Sequence, residues 1–229
     1  MLITSAQKNK ILQVVNVFET GTPEGRYDSI SVYKDGLIDG NHVYQLTYGR
    51  SQTTEFGNLK RLIEKYVSNG GLYAAQFAPF VSKIGNWPSL RHNPTFRKLL
   101  KESALKDPIM RVTQDDFFDL YYYTPAYIWF KGFGFKEPLS LLVIYDSFIQ
   151  SGQIFDFLRQ KFPERPPLFG GRENVWIEQY VKTRHDWLKT HTKPIVRKTF
   201  YRTSCFKKQI ARSNWVLNQE VDSNGVIIP

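Results

Sequence analysis

Residues 18–58 read FETGTPEGRYDSISVYKDGLIDGNHVYQLTYGRSQTTEFGN, and two carboxylates in this stretch, Glu19 and Asp35, decide how the chain is understood. A helical pattern ends at Glu19, and Gly21 and Pro23 break it. An extended segment then carries Asp35 to the tip of a Lys34-Asp35-Gly36 turn. Such an order predicts one acid facing another across a cleft.

Upstream, Thr4 and Gln7 have the spacing of a capping box, and Ile11, Val14, Val15 and Phe18 recur as one buried helical stripe. Glu19 therefore falls in the last helical turn, beside exposed carbonyls and a Phe expected to be buried. Both neighbours oppose a negative charge and suit a carboxyl that gives its proton to a leaving oxygen, as glycosidic cleavage requires. The plain alternative is a solvated Glu at a helix end. Asp-Gly is equally a common turn dipeptide, and Asp39-Gly40 repeats it four residues on, so the local pattern does not choose between the two. Thr47, on a strand in Leu46-Thr47-Tyr48-Gly49, places a hydroxyl where it could hold a water against a carboxylate; it also suits a hairpin by β-propensity alone.

Taken together, Phe18-Glu19, the Gly-rich break, Arg26-Tyr27 and Asp35-Gly36 resemble the catalytic segment of the family 46 chitosanases among glycoside hydrolases. The likeness continues in order along the chain. Residues 111–116 (RVTQDD) and Tyr123-Thr-Pro-Ala126 resemble a QxDxxD segment and the Tyr-x-x-Pro-Ala after it. Residues 142–146 (LVIYD) resemble a buried helix bearing Tyr-Asp, and residues 176–184 resemble a late helix ending in Arg.

The resemblance implies a mainly α (α+β), two-lobed, lysozyme-like fold spanning residues 1–229 as one catalytic domain, with a small β-hairpin region and a cleft between the lobes. It implies Glu19 as general acid, Asp35 as general base and Thr47 as a holder of the attacking water. Tyr27, Arg50 and Asn58 would meet substrate, and Asp146 with Arg184 would form a supporting ion pair behind the acid. Inversion is implied as well, which calls for carboxyl groups about 6.5–9.5 Å or more apart, with room for a water.

The sequence departs from the family pattern in places. Asn58 stands where an acid is usual, His191 falls near another acidic position, and Leu37 replaces an Arg. The segment 36–47 is long. Chitosan is a polycation, and a chain of net charge +10 with a pI near 9.6 is poorly matched to it. Two substrates therefore stand side by side: chitosan, and peptidoglycan cleaved in the manner of a lysozyme. An inactive glycan-binding module is the reading from a different class, and retention of both carboxylates opposes it.

The remaining chain sets bounds. Its 229 residues are enough for a substantial core. No apolar run reaches the eighteen residues of a membrane span, and residues 1–10 are too polar for a signal region, although action outside the cell or on its wall is expected from the substrate. The single Cys205 excludes an internal disulfide, and four scattered His residues show no ligand spacing, so neither a metal nor a cofactor is expected. The basic residues from 193 to 212 read as a solvated face. No motif for specific nucleic-acid recognition accompanies them, and a monomer is expected.

Helices are predicted over 58–67, where Leu59, Leu62, Ile63 and Tyr66 share a face, and over 173–189. The region 72–110 reads as short helical pieces broken by prolines, and 111–130 as an aromatic-rich segment. The run 139–149 is the most apolar of the chain and encloses Asp146. A carboxylate buried there is costly unless paired; the resemblance implies Arg184 as its partner, and the plain alternative is an Asp146 that reaches solvent at a helix end.

Overall fold

The computed structural model describes residues 2–50 and 52–229. The chain divides into two compact units, one formed by residues 1–24 and 120–229, the other by residues 25–119.

The first unit is built around an apolar helix. α1 (Ser5–Thr20) begins at the expected capping box, with Thr4 and Gln7 each satisfying the other's backbone N–H, and stops at Gly21 in the left-handed conformation. After α6 (Thr124–Gly132) comes α7 (Pro138–Ser151), in which every residue from 138 to 147 is buried. A helix apolar all round must be enclosed all round. The stripes of α1, α6, α9 (Glu173–Thr190) and α11 (Tyr201–Ala211) pack around it, with the short α8 (Asp156–Arg159) and α10 (Pro194–Arg197) completing the unit.

The chain end is also anchored. Gln7 Nε2 donates to the Val216 carbonyl at 3.1 Å, and Lys10 Nζ donates to the Leu217 and Gln219 carbonyls at 3.0 Å each. Beyond it lies a small hairpin outside the sequence expectation, β4 (Val221–Ser223) and β5 (Val226–Ile228), turned at Asn224-Gly225 with positive φ at both residues.

The second unit carries a three-stranded antiparallel sheet, β1 (Ile30–Ile38), β2 (Asn41–Tyr48) and β3 (Thr53–Thr54). Four helices follow: α2 (Leu59–Ser68), α3 (Ala74–Val81), α4 (Pro94–Lys106) and α5 (Pro108–Phe118). α2 buries the four predicted residues completely. Pro94 and Pro108 open helices rather than merely interrupting them, each at the first turn, where a missing N–H is harmless. Asp107 caps α5 and ties three segments together, accepting from Tyr66 Oη at 2.6 Å, Leu72 N at 2.7 Å and Ile109 N at 2.9 Å.

The hairpin corrects the expected place of Asp35. The tip between β1 and β2 is Asp39-Gly40, with φ of 49° and 78°, as a two-residue turn of the favoured twist demands. Asp35 instead lies within β1. Tyr33 pairs with Gln45 and Gly36 with Val43, so Lys34 and Asp35 together oppose Tyr44 in a β-bulge. The choice between the two Asp-Gly pairs is physical: Gly36 is buried, and a Cβ there would come within 2.9 Å of the Phe56 ring and 3.1 Å of the Val43 methyl.

Candidate active site

Within the first unit, the last turn of α1 delivers Glu19 into a chain of charges rather than the apolar setting expected for it. Its Oε1 receives Arg202 Nη2 in a close ion pair. Arg202 Nη1 donates to Asp146 Oδ1 at 2.8 Å, and Arg184 Nη2 lies 2.8 Å from Asp146 Oδ2 as an ion pair. Asp146 and Arg184 are essentially inaccessible, Arg202 is 5% exposed, and the Glu19 side chain retains 14% exposure.

The Asp146–Arg184 pair expected from the sequence is therefore present. Arg202, however, is buried and does not belong to the solvated basic face that the sequence suggests for residues 193–212. Burial alone would lower the Arg202 pKa, but the Glu19 and Asp146 carboxylates outweigh it and raise the pKa above the ordinary value. Two carboxylates and two guanidinium groups leave the network neutral, the condition under which buried charges are tolerated. Arg184 also contacts Gln150 Oε1, and Gln150 Nε2 donates to Thr199 Oγ1 at 2.6 Å. Cys205, next to Asp146, has its thiol pushed up to about 12 by burial and that neighbouring carboxylate, so it remains protonated.

Within the second unit Asp35 is exposed, and its Oδ1 accepts a hydrogen bond from Gln45 Nε2 at 2.9 Å. Thr47, two residues further along β2, is 2% exposed and gives its hydroxyl hydrogen to Gln52 Oε1 at 2.6 Å. Its hydroxyl hydrogen is used in that bond while the oxygen keeps its acceptor capacity, and the side chain that reaches Asp35 is Gln45, which sequence reasoning missed. An uncharged amide amid strand residues carries no pattern that marks it out.

The residues expected to meet substrate in this unit are mostly engaged with each other. Arg50 is 6% exposed and paired with Asp115 Oδ1, which also accepts from Tyr27 Oη at 2.9 Å. Burial and the Asp115 charge raise the Tyr27 pKa, so its phenol stays a donor. Gln114 joins the same group, donating to the Tyr27 carbonyl at 2.9 Å and accepting from the Arg50 N–H at 3.1 Å. Asn58 is half-buried just before α2 and makes no side-chain cap there.

Among the described residues no group of three or more His, Cys, Asp or Glu side chains is placed to hold a metal ion. No helix among them is long and apolar enough to cross a membrane.

Comparison with known proteins identifies the family. The model of glycosyl hydrolase family 46 matches residues 13–221. A chitosanase of Bacillus subtilis (strain 168) is 26% identical over 205 residues, covering 79% of this chain; the chain spans 66% of that relative's length. Two solved structures have the same fold. The native chitosanase of Bacillus subtilis MY002 superposes with a TM-score of 0.83 at 22% identity, covering 100% of both chains. The chitosanase of Gynuella sunshinyii, in complex with chitotetraose, gives 0.82 at 21% identity over 99% of this chain and 98% of its own. The mainly helical architecture with small antiparallel sheets is the one these chitosanases have, and with the family match extending from α1 to β4, the chain belongs to glycosyl hydrolase family 46.

Proposed function

We propose that the chain is an endo-acting chitosanase that cleaves β-1,4 bonds of chitosan by inversion. Glu19 is the general acid and Asp35 the general base. The observation that carries this reading is the family match over residues 13–221, which takes in both carboxylates, Glu19 in the last turn of α1 and Asp35 on β1. Glu19 lies against a shared guanidinium, and Asp35 is exposed and fixed through one oxygen.

The chemistry follows from those settings. Glu19 transfers its proton to the glycosidic oxygen as the bond to the anomeric carbon breaks, and the resulting carboxylate is received by Arg202. While Glu19 holds its proton, Asp146 keeps Arg202 in place, so the guanidinium need not reorganise when the charge appears. Asp35 removes a proton from the water that attacks the opposite face of the sugar. Thr47 helps hold that water through its hydroxyl oxygen, the hydrogen being given to Gln52. Tyr27, Arg50 and Asn58 shape the substrate-facing side of the same unit, and Asp146 with Arg184 holds the acid from behind. The protein works as a monomer on a polymeric substrate.

One observation favours a second substrate. The net charge of +10 suits an acetylated or anionic glycan better than a polycation, which makes peptidoglycan the alternative. Release of reducing ends from chitosan and from purified peptidoglycan separates them. Chitosan is expected to be the better substrate; turnover of peptidoglycan alone would transfer the same mechanism to the cell wall, and turnover of neither would remove the catalytic reading.

A further inference from the structure

The hydrogen bonds around Gln45 determine which way its side chain points. Gln45 is 4% exposed; Oε1 accepts the Phe56 backbone N–H at 2.9 Å, and Nε2 donates to Asp35 Oδ1 at 2.9 Å. A backbone N–H can only donate, so the amide oxygen must face Phe56 and the NH₂ group must face Asp35. An NH₂ group in turn can only donate, which matches an ionised carboxylate oxygen.

The Phe56 end of this arrangement is itself fastened. Glu55 is fully buried, and its carboxylate accepts from Leu90 N at 2.6 Å, Ser89 Oγ at 2.6 Å and Leu46 N at 3.3 Å. Its own N–H donates to the Leu46 carbonyl at 2.8 Å. Residues 55–56 are thereby tied both to β2 and to the turn containing Leu90. On the other side, Gly36 lets β1 approach Phe56 closely, since a Cβ would collide with that ring.

We propose that Gln45 is the positioning residue of the base: it holds Oδ1 of Asp35, sets the carboxylate plane, and leaves Oδ2 as the oxygen that takes the water's proton. This rests on the reading of Asp35 as general base. Gln45 acts through Asp35 and does not touch the reacting atoms. The bulge at Lys34-Asp35 matters because it brings a strand carboxylate within reach of an amide that the opposite strand holds still.

Two substitutions test this, with chitosan as substrate and thermal unfolding recorded alongside. Gln45→Glu keeps an acceptor for the Phe56 N–H but turns the donor facing Asp35 into an acidic oxygen; Gln45→Met removes the donor at similar volume. Both are expected to lower kcat about tenfold or more, with KM changed less than twofold. The loss is expected in kcat rather than in KM or in the melting temperature, a split that a merely structural role would not give. In an Asp35→Asn background neither should cause a further loss.

An unchanged kcat in both variants, or a loss carried by KM or by thermal stability instead, would overturn the proposal and leave only a structural role. If Asp35→Asn is inactive while both Gln45 variants behave like the parent, the positioning inference fails and the base stands. If Asp35→Asn remains active, the assignment of the base is what fails.

Discussion

Glu19 and Asp35 are held by opposite means. Glu19, the proposed acid, ends a chain of alternating charges, Arg184, Asp146 and Arg202, that runs into the core around α7. Asp35, the proposed base, lies exposed on a bulged strand and is held by a neutral amide. The difference teaches which perturbations each can bear. A charge inside a buried network is part of the fold, because removing it strands its partner; an exposed carboxylate held by one amide can be neutralised with the fold left intact.

The largest effect expected is on turnover. Glu19→Gln and Asp35→Asn should each lower kcat on chitosan by about 10²–10⁴-fold, the range over which general acid–base groups act. Urea denaturation then sharpens the contrast. Asp35→Asn should lie within about 0.5 kcal/mol of the parent, as surface substitutions do, whereas Glu19→Gln should be measurably less stable, since Arg202 loses one of its two carboxylates. Equal stabilities would break the comparison.

Next in size is Arg184→Met. Stripping Asp146 of this partner should cost about 3–5 kcal/mol of unfolding free energy. Activity should fall as well, through a displaced Arg202. A variant of undiminished stability would mean that the network holds the acid without holding the fold.

The smallest effect concerns acid sensitivity of the first unit. His185, the neighbour of Arg184 on α9, contacts Thr203 Oγ1 through Nδ1 at 2.8 Å. Burial, then Lys207 and Lys189, lower its pKa, with Asp186 opposing them. The folded chain therefore refuses a proton that the unfolded chain takes up below about pH 6.5, so this contribution is present above that pH and is lost as pH falls below it. Melting temperatures at pH 8 and pH 5.5 should differ less in His185→Asn than in the parent; an equal or larger difference would assign the acid sensitivity elsewhere.

How much of this was legible in the sequence follows the same division. α1 could be read nearly to the residue because its ends are chemical, a Thr–Gln box and a left-handed Gly. That Asp146 needs a partner could be anticipated because a carboxylate inside the most apolar run of the chain must be compensated; that the partner is Arg184 is implied by the family resemblance. Arg202 could not be anticipated. It stands among residues 193–212, where a buried guanidinium and a solvated one have the same letter and much the same neighbours. The sequence does not separate Asp35-Gly36 from Asp39-Gly40, because the two pairs carry identical local signals; the structure does so by positive φ at Asp39 and Gly40 and by the burial of Gly36 against Phe56. Gln45 left no trace, since its role depends on which backbone N–H faces its oxygen. Asn224-Gly225 did carry the strongest short hairpin signal, and it could have revealed β4 and β5.

The assignment of separate tasks to the two carboxylates is tested most directly by the anomeric configuration of the first product released from a chitosan oligomer, followed by proton NMR before mutarotation. With Asp35 activating a water, the new reducing end appears first as the α-anomer, inverted from the β-linkage. Initial appearance of the β-anomer would mean retention through a covalent intermediate and would contradict the account.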